Sequence, residues 1–151
     1  EKSYAAGFPA PLGVTISSSG FVPTRTAVEL EGVLGLVGGR MVVEIEGGGL
    51  SSGLGAVPKL PAVWTLAANF GLISETLDAV PWAGRVVKAD GGVAGTLNLP
   101  AGAANLAGRA AVSGVLLPEW AGGGVIGGGL IRVPVAGVKG EFRTASMVIT
   151  R

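Results

Sequence analysis

The sequence contains no cysteine and no histidine among its 151 residues. Without cysteine there are no thiol nucleophiles, no zinc–thiolate sites and no disulfides. Without histidine, the commonest general base and the commonest metal ligand are also missing. An enzyme built on this chain would have to rely on carboxylates, amines, guanidinium groups and hydroxyls, and no arrangement of these in the sequence supports one. We therefore expect a protein that is not an enzyme and needs no cofactor.

Charge is also scarce. Charged residues make up 14% of the chain and the net charge is +1, whereas a typical protein is about 25% charged. This balance offers no broad electrostatic attraction to nucleic acid or to an anionic membrane. No run of about 18 or more apolar residues occurs, so we expect no membrane-spanning helix. The sequence begins at Glu1 and not at methionine, which predicts a processed or excised part of a longer protein.

Glycine is the abundant residue, with 28 copies, well above the roughly 7% of average usage. Glycine weakens helix interiors, and here it accompanies many valines, leucines, isoleucines and threonines, which favour strands. The composition predicts an all-β fold: an antiparallel sandwich or short barrel of roughly eight strands joined by tight turns. We assign this single domain to residues 13–151 and an N-terminal arm or linker to residues 1–12.

The clearest local pattern predicts a β-hairpin over residues 26–47, with a two-residue turn at Gly38-Gly39. Pairing outward from that turn gives one apolar face and one acidic face. The apolar face contains Leu30, Leu34, Leu36, Met41, Val43 and Ile45. The acidic face contains Glu29, Glu31, Glu44 and Glu46, with Glu31 directly opposite Glu46. Like charges placed opposite each other destabilise a sheet, so solvent, a basic partner or a cation such as calcium must relieve them. These four acids are the candidate partner or cation patch, with a solvated face as the alternative.

The remaining segments are also interpreted mainly as strands. Residues 61–77 fit either a short helix or a strand through Trp64, Leu66 and Ala68, and we favour the strand. Residues 85–99 predict a second hairpin turning at Asp90-Gly91, with Val86 opposite Gly95. Residues 110–117 predict a strand that Pro118 ends. The glycine-rich residues 120–135 predict a bent or bulged strand, and residues 140–150 a strand that closes the sheet.

The few aromatic residues give two further hypotheses. Trp64, Trp82 and Trp120 either fill the core or, if one of them is exposed, form a platform for a sugar or another ligand. Tyr4 and Phe8 lie in the N-terminal segment, which is either a frayed end or an assembly arm that packs on this domain or on a neighbour.

Residues 86–133 resemble a glycine-rich β-repeat found in very large exported proteins of some Gram-negative bacteria. The likeness covers about a third of the chain and rests on turn and core positions, with glycines at 122–129. The matching residues are Asp90, Gly91, Gly92, Gly95, Leu97, Leu99, Arg109, Val112, Gly114, Val115, Leu116, Leu117 and Pro118. The resemblance implies an exported β-domain with a structural or adhesive role and no catalytic residues.

Together these observations predict a structural domain of an extracellular or cell-surface assembly. It would associate with itself or with neighbouring domains through sheet edges and apolar patches, since low charge and high apolar content suggest a partly covered surface. The alternative is a carbohydrate- or ligand-binding module that uses an exposed tryptophan.

Overall fold

The computed structural model of the chain describes residues 21–47, 62–75, 82–98, 108–118 and 124–151. In these ranges one helix precedes eight strands. They are α1 (Ala27–Leu34), β1 (Arg40–Gly47), β2 (Ala62–Leu66), β3 (Gly71–Ser74), β4 (Trp82–Val86), β5 (Gly92–Asn98), β6 (Arg109–Leu116), β7 (Val125–Pro134) and β8 (Phe142–Thr150). Each strand pairs with the next, and β8 returns to β1, so the antiparallel sheet is a closed barrel. The all-β prediction is confirmed, and of its two forms the chain adopts the barrel.

The first half of the hairpin predicted over residues 26–47 is wrong, because Ala27–Leu34 form a helix. The Thr26 hydroxyl accepts a hydrogen bond from the Glu29 N–H at 3.2 Å, and the Glu29 carboxylate accepts from the N–H groups of Thr26 and Arg25. This capping box satisfies N–H groups that a helix start leaves without partners. The helix ends at Gly35, which has a φ of 66°.

The second half of that prediction is correct in its faces but not in its pairing. Met41, Val43 and Ile45 are buried as expected, yet β1 pairs with β2 and β8 and not with residues 28–37. Gly38 and Gly39 both have the positive φ of a tight turn, but this turn joins a helix to a strand.

Helix α1 closes one end of the barrel. Leu30 and Leu34 are fully buried and belong to the same cluster as the inward side chains of the strands. The Phe21 ring occupies the space where a Cβ on Gly91, at the β4–β5 turn, would lie. The carbonyl of Gly39 accepts a hydrogen bond from the Leu66 N–H at 2.9 Å. The segment from Phe21 to Gly39 therefore crosses the barrel end and supplies apolar side chains to the core.

The strand interpretation of residues 61–77 is confirmed for β2 and β3, which form a hairpin. Trp64 and Leu66 are buried, whereas Ala68 lies in the turn and not in a strand. The Asn69 side-chain oxygen accepts a hydrogen bond from the Gly71 N–H at 3.0 Å and so closes that turn.

The turn at Asp90-Gly91 is confirmed, with a change of register. Val86 lies opposite Val93 and not Gly95, because the loop spans residues 88–91 and is closed by a hydrogen bond from the Val87 N–H to the Gly92 carbonyl. Since the shift is two residues, each side chain stays on its expected face.

The last three strands follow the sequence closely. Strand β6 ends before Pro118, β7 has a register shift between Val125 and Gly127, and β8 pairs with both β7 and β1. The bulge and the closing strand are as predicted. The arm expected at residues 1–12 lies outside the described residues. None of the described helical segments has the length and apolar character that crossing a membrane would require.

Glycines face the barrel interior at several neighbouring positions. A Cβ at Gly95 would lie 2.6 Å from the Ala83 carbonyl oxygen, and one at Gly114 would lie 2.6 Å from the Gly128 carbonyl oxygen. A Cβ at either Gly114 or Gly129 would also lie 2.9 Å from the Met147 methyl carbon. The strands therefore approach more closely than a side chain would permit, and Met147 fills the space that the glycines leave.

Replacing Gly32 with alanine tests the helix. Gly32 lies within α1, and nothing lies within 4 Å of the position its Cβ would occupy. We expect Gly32→Ala to raise the free energy of unfolding by about 0.5–1 kcal/mol, because alanine loses less backbone entropy in a helix. Urea denaturation measures this, and an unchanged or lowered value would contradict the helix.

Adding the same methyl group at Gly129 should have the opposite effect. Its Cβ would overlap the Ser113 carbonyl and lie 2.6 Å from the Gly114 Cα. We expect Gly129→Ala to lower the free energy of unfolding by about 1–3 kcal/mol, as overpacking does. Gly32→Ala is the matched control, since the added group is identical and only the surrounding space differs.

Candidate functional site

Two tryptophans stack inside the barrel. The rings of Trp64 and Trp82 have centroids 4.2 Å apart and planes inclined by 14°. The Trp82 indole lies against Gly84 and Gly95, where any Cβ would overlap it. Gly84 and Gly95 lie opposite each other on β4 and β5. Because neither has a side chain, the large indole ring can pack directly against the backbone there.

Within the described part of the chain, two polar atoms beside this stack have no hydrogen-bond partner. They are the Ser74 hydroxyl oxygen and the Trp82 Nε1, both buried. Ser74 lies opposite Trp64 in the β2–β3 ladder. The β3–β4 ladder contains only the pairs Gly71–Arg85 and Leu72–Gly84, so it stops short of Ser74 and Trp82. Each buried unpaired polar group costs about 1–3 kcal/mol of stability.

The three tryptophans of the predicted platform do not share one environment. Trp64 is only 2% exposed, so its ring offers no open face for a ligand. Trp82 is partly exposed and packs against the core. Trp120 lies outside the described residues, as do Tyr4 and Phe8 of the expected assembly arm. The structure thus places Trp64 in the core and leaves Trp82 as the described tryptophan that a ligand could reach.

The four acids do not form the predicted face. Glu29 caps the start of α1, and Glu31 lies on the same helix. Glu44 and Glu46 lie on β1, opposite Val148 and Ser146 of β8. The predicted opposition of Glu31 and Glu46 is wrong because residues 27–34 are helical. Across the described ranges, no three acidic side chains are grouped so that they could hold a metal ion.

The outer wall of β7 and β8 carries a stripe of few charges. Its rows are the pairs Gly128–Val148, Leu130–Ser146, Arg132–Thr144 and Pro134–Phe142, and we call these eight residues the outer stripe. Leu130, Phe142 and Val148 are 53%, 47% and 39% exposed. Arg132 contributes the one charge, and its guanidinium carbon lies 4.5 Å from the centroid of the Phe142 ring. Part of the guanidinium thus covers an aromatic face.

Barrel closure changes how this domain could associate. Every described strand has a neighbour on both sides, which removes the free edges that strand addition requires. The short β3–β4 ladder is the weak point in that closure among the described strands. Closure therefore leaves no edge of a described strand free for the edge-to-edge association expected from the sequence.

The fold defines the chain as an eight-stranded antiparallel barrel closed at one end by a helix. Comparison with protein-family models, with curated proteins and with solved structures found no match to this chain.

The stacked tryptophans predict a spectroscopic signature. Two indoles at this separation and angle should couple and give a paired positive and negative band in the far-ultraviolet circular dichroism spectrum. We expect Trp64→Phe and Trp82→Phe each to abolish the couplet, because each removes one indole. Phe142→Leu, at an exposed aromatic residue of β8, is the control and should leave it intact. A couplet that survives loss of Trp82 would contradict the stack.

Proposed function

We propose that this chain is a non-catalytic structural domain that assembles with further copies of itself through the outer stripe. The observation that carries the proposal is the exposure of Leu130, Phe142 and Val148 along one wall of the barrel. Burying apolar side chains of this size contributes about 1.5–3 kcal/mol for each side chain fully removed from water.

The surroundings of the outer stripe also support a contact surface. On the β6 side its neighbours are the short residues Ala111, Ser113 and Val115, opposite Arg132, Leu130 and Gly128. Short side chains lose little rotamer freedom when they are covered. A stable interface buries roughly 800 Å² on each partner, and the outer stripe together with the neighbouring β6 wall provides a continuous surface on which to build one.

The proposal includes a location outside the cell, at a bacterial surface, with an adhesive or scaffolding role. This part rests on the resemblance of residues 86–133 to glycine-rich β-repeats of exported proteins.

Sedimentation analysis over a range of protein concentrations tests the assembly. The wild-type chain should form species larger than the 14.8 kDa monomer. Leu130→Lys combined with Val148→Lys should shift the distribution towards monomer, because two charges would have to be buried at the contact. Ile73→Lys is the matched control, since Ile73 is 58% exposed on β3, outside the outer stripe. A wild-type chain that stays monomeric, or an equal effect of the control, would refute the proposal.

A second candidate function is binding of a carbohydrate or another small polar ligand at Trp82. The partial exposure of Trp82 favours it, since a sugar offers an apolar face on which an indole ring can stack. Such a module should be monomeric and should change its tryptophan fluorescence on titration with oligosaccharides. Trp82→Phe should remove that response, whereas Phe142→Leu, on the outer wall of β8, should not.

A further inference from the structure

An open pocket of about 440 Å³ lies between the end of α1 and the outer wall of the barrel. Its volume is within the range of about 300–1,000 Å³ that is usual for small-molecule sites. The residues around it are Gly35 and Val37 of the α1–β1 connection, Arg40, Met41 and Val42 of β1, Val63 of β2, and Arg151 after β8. Valines and two arginines thus meet at one place.

The apolar part of the pocket is formed by three valines and Met41. Val42 and Val63 lie directly opposite each other in the β1–β2 ladder and are partly buried. Val37, in the connection between α1 and β1, also lines the pocket and is 85% exposed. A ligand that contacts all three valines would remove apolar surface from water, and most of the gain would come from Val37.

The two arginines of the pocket differ in their ion pairing. The Arg40 guanidinium forms an ion pair with Glu75 at 2.8 Å, and Glu75 also accepts a hydrogen bond from the Thr65 hydroxyl. The Arg40 charge is therefore largely balanced within the protein.

Arg151 has no ion-pair partner in the described part of the chain. Its backbone N–H donates to the Gly124 carbonyl at 2.9 Å. Its side chain reaches over Gly35, where a Cβ would lie 2.6 Å from the Nη1 atom. The absence of a side chain at Gly35 thus allows an unpaired guanidinium to rest beside the valines.

We infer that this pocket binds a carboxylate attached to a small aliphatic group. The Arg151 guanidinium can donate two parallel hydrogen bonds to a carboxylate, which matches its planar geometry. The Arg151 guanidinium, which has no ion pair with another described residue, fits a singly charged anion, and the three valines fit an aliphatic group. A free alkanoate and the apolar C-terminal residue of a peptide share this chemistry.

Titration of the isotope-labelled protein with two acids and their neutral analogues, followed by NMR, tests the inference. The acids are octanoate and N-acetyl-alanyl-leucine, and the neutral analogues are octanol and the leucine amide of the same peptide. We expect saturable shifts at the methyl groups of Val37, Val42 and Val63 with at least one acid. The corresponding neutral analogue should bind about 10- to 100-fold more weakly, because a charge-assisted hydrogen bond is lost. Binding of one acid alone identifies the source of the carboxylate.

Two variants and two matched controls locate the site. Arg151→Gln should weaken acid binding about 10-fold or more. Val37→Asp should weaken it similarly by repelling the carboxylate, and Val37 is exposed enough for the fold to tolerate the change. Arg85→Gln and Val138→Asp make the same chemical changes at exposed residues away from the pocket and should leave binding unchanged.

The inference is overturned if neither acid gives saturable shifts at millimolar concentration, if the shifts occur elsewhere, or if the neutral analogues bind equally well. It is independent of the proposed assembly. The pocket variants lie outside the outer stripe and should not alter sedimentation, so failure of one proposal leaves the other standing.

Discussion

The architecture depends on how an eight-stranded barrel fills its interior. Such a barrel has room for side chains but little to spare, and here large residues are placed against glycines. Trp82 lies over Gly84 and Gly95, while Met147 lies against Gly114 and Gly129. Because these glycines allow neighbouring backbones to approach closely, the strands curve enough for β8 to meet β1. The same glycines therefore serve both the packing of the core and the closure of the barrel.

The helix completes the same core from one end. Leu30 and Leu34 belong to the buried cluster formed by the strands. The capping box at Thr26 and Glu29 fixes the start of the helix so that both leucines face this cluster. The junction between this end and the barrel wall also produces the pocket, since Gly35 leaves space for the side chain of Arg151. The pocket thus exists only where the end of α1 packs against the barrel, and neither α1 nor β1 forms it alone.

Closure also decides which surfaces remain for function. An open sheet would offer its edges to a partner, but a closed one offers its outer wall and its ends. The exposed apolar residues of β7 and β8 lie on that outer wall, which is why we propose it as the contact surface. The stacked tryptophans, which could have formed a platform on an open sheet, instead fill the barrel, and only Trp82 is left partly exposed.

By itself, the sequence determined the all-β class, the turns at Gly38-Gly39 and Asp90-Gly91, the bulge in β7 and the inward face of β1. These follow from local alternation and from glycine's access to positive φ.

The helix was also encoded, in the Thr26–Glu29 spacing and in Leu30 and Leu34 four residues apart, but the same letters fit an alternating strand. Only the tertiary structure decided between helix and strand, because burial at the barrel end requires Ala27, Leu30 and Leu34 on one helical face. It also decided that β1 pairs with β8, a contact between distant segments that no local pattern specifies. The pocket at Arg151 depends on that pairing and so could not be predicted from the sequence.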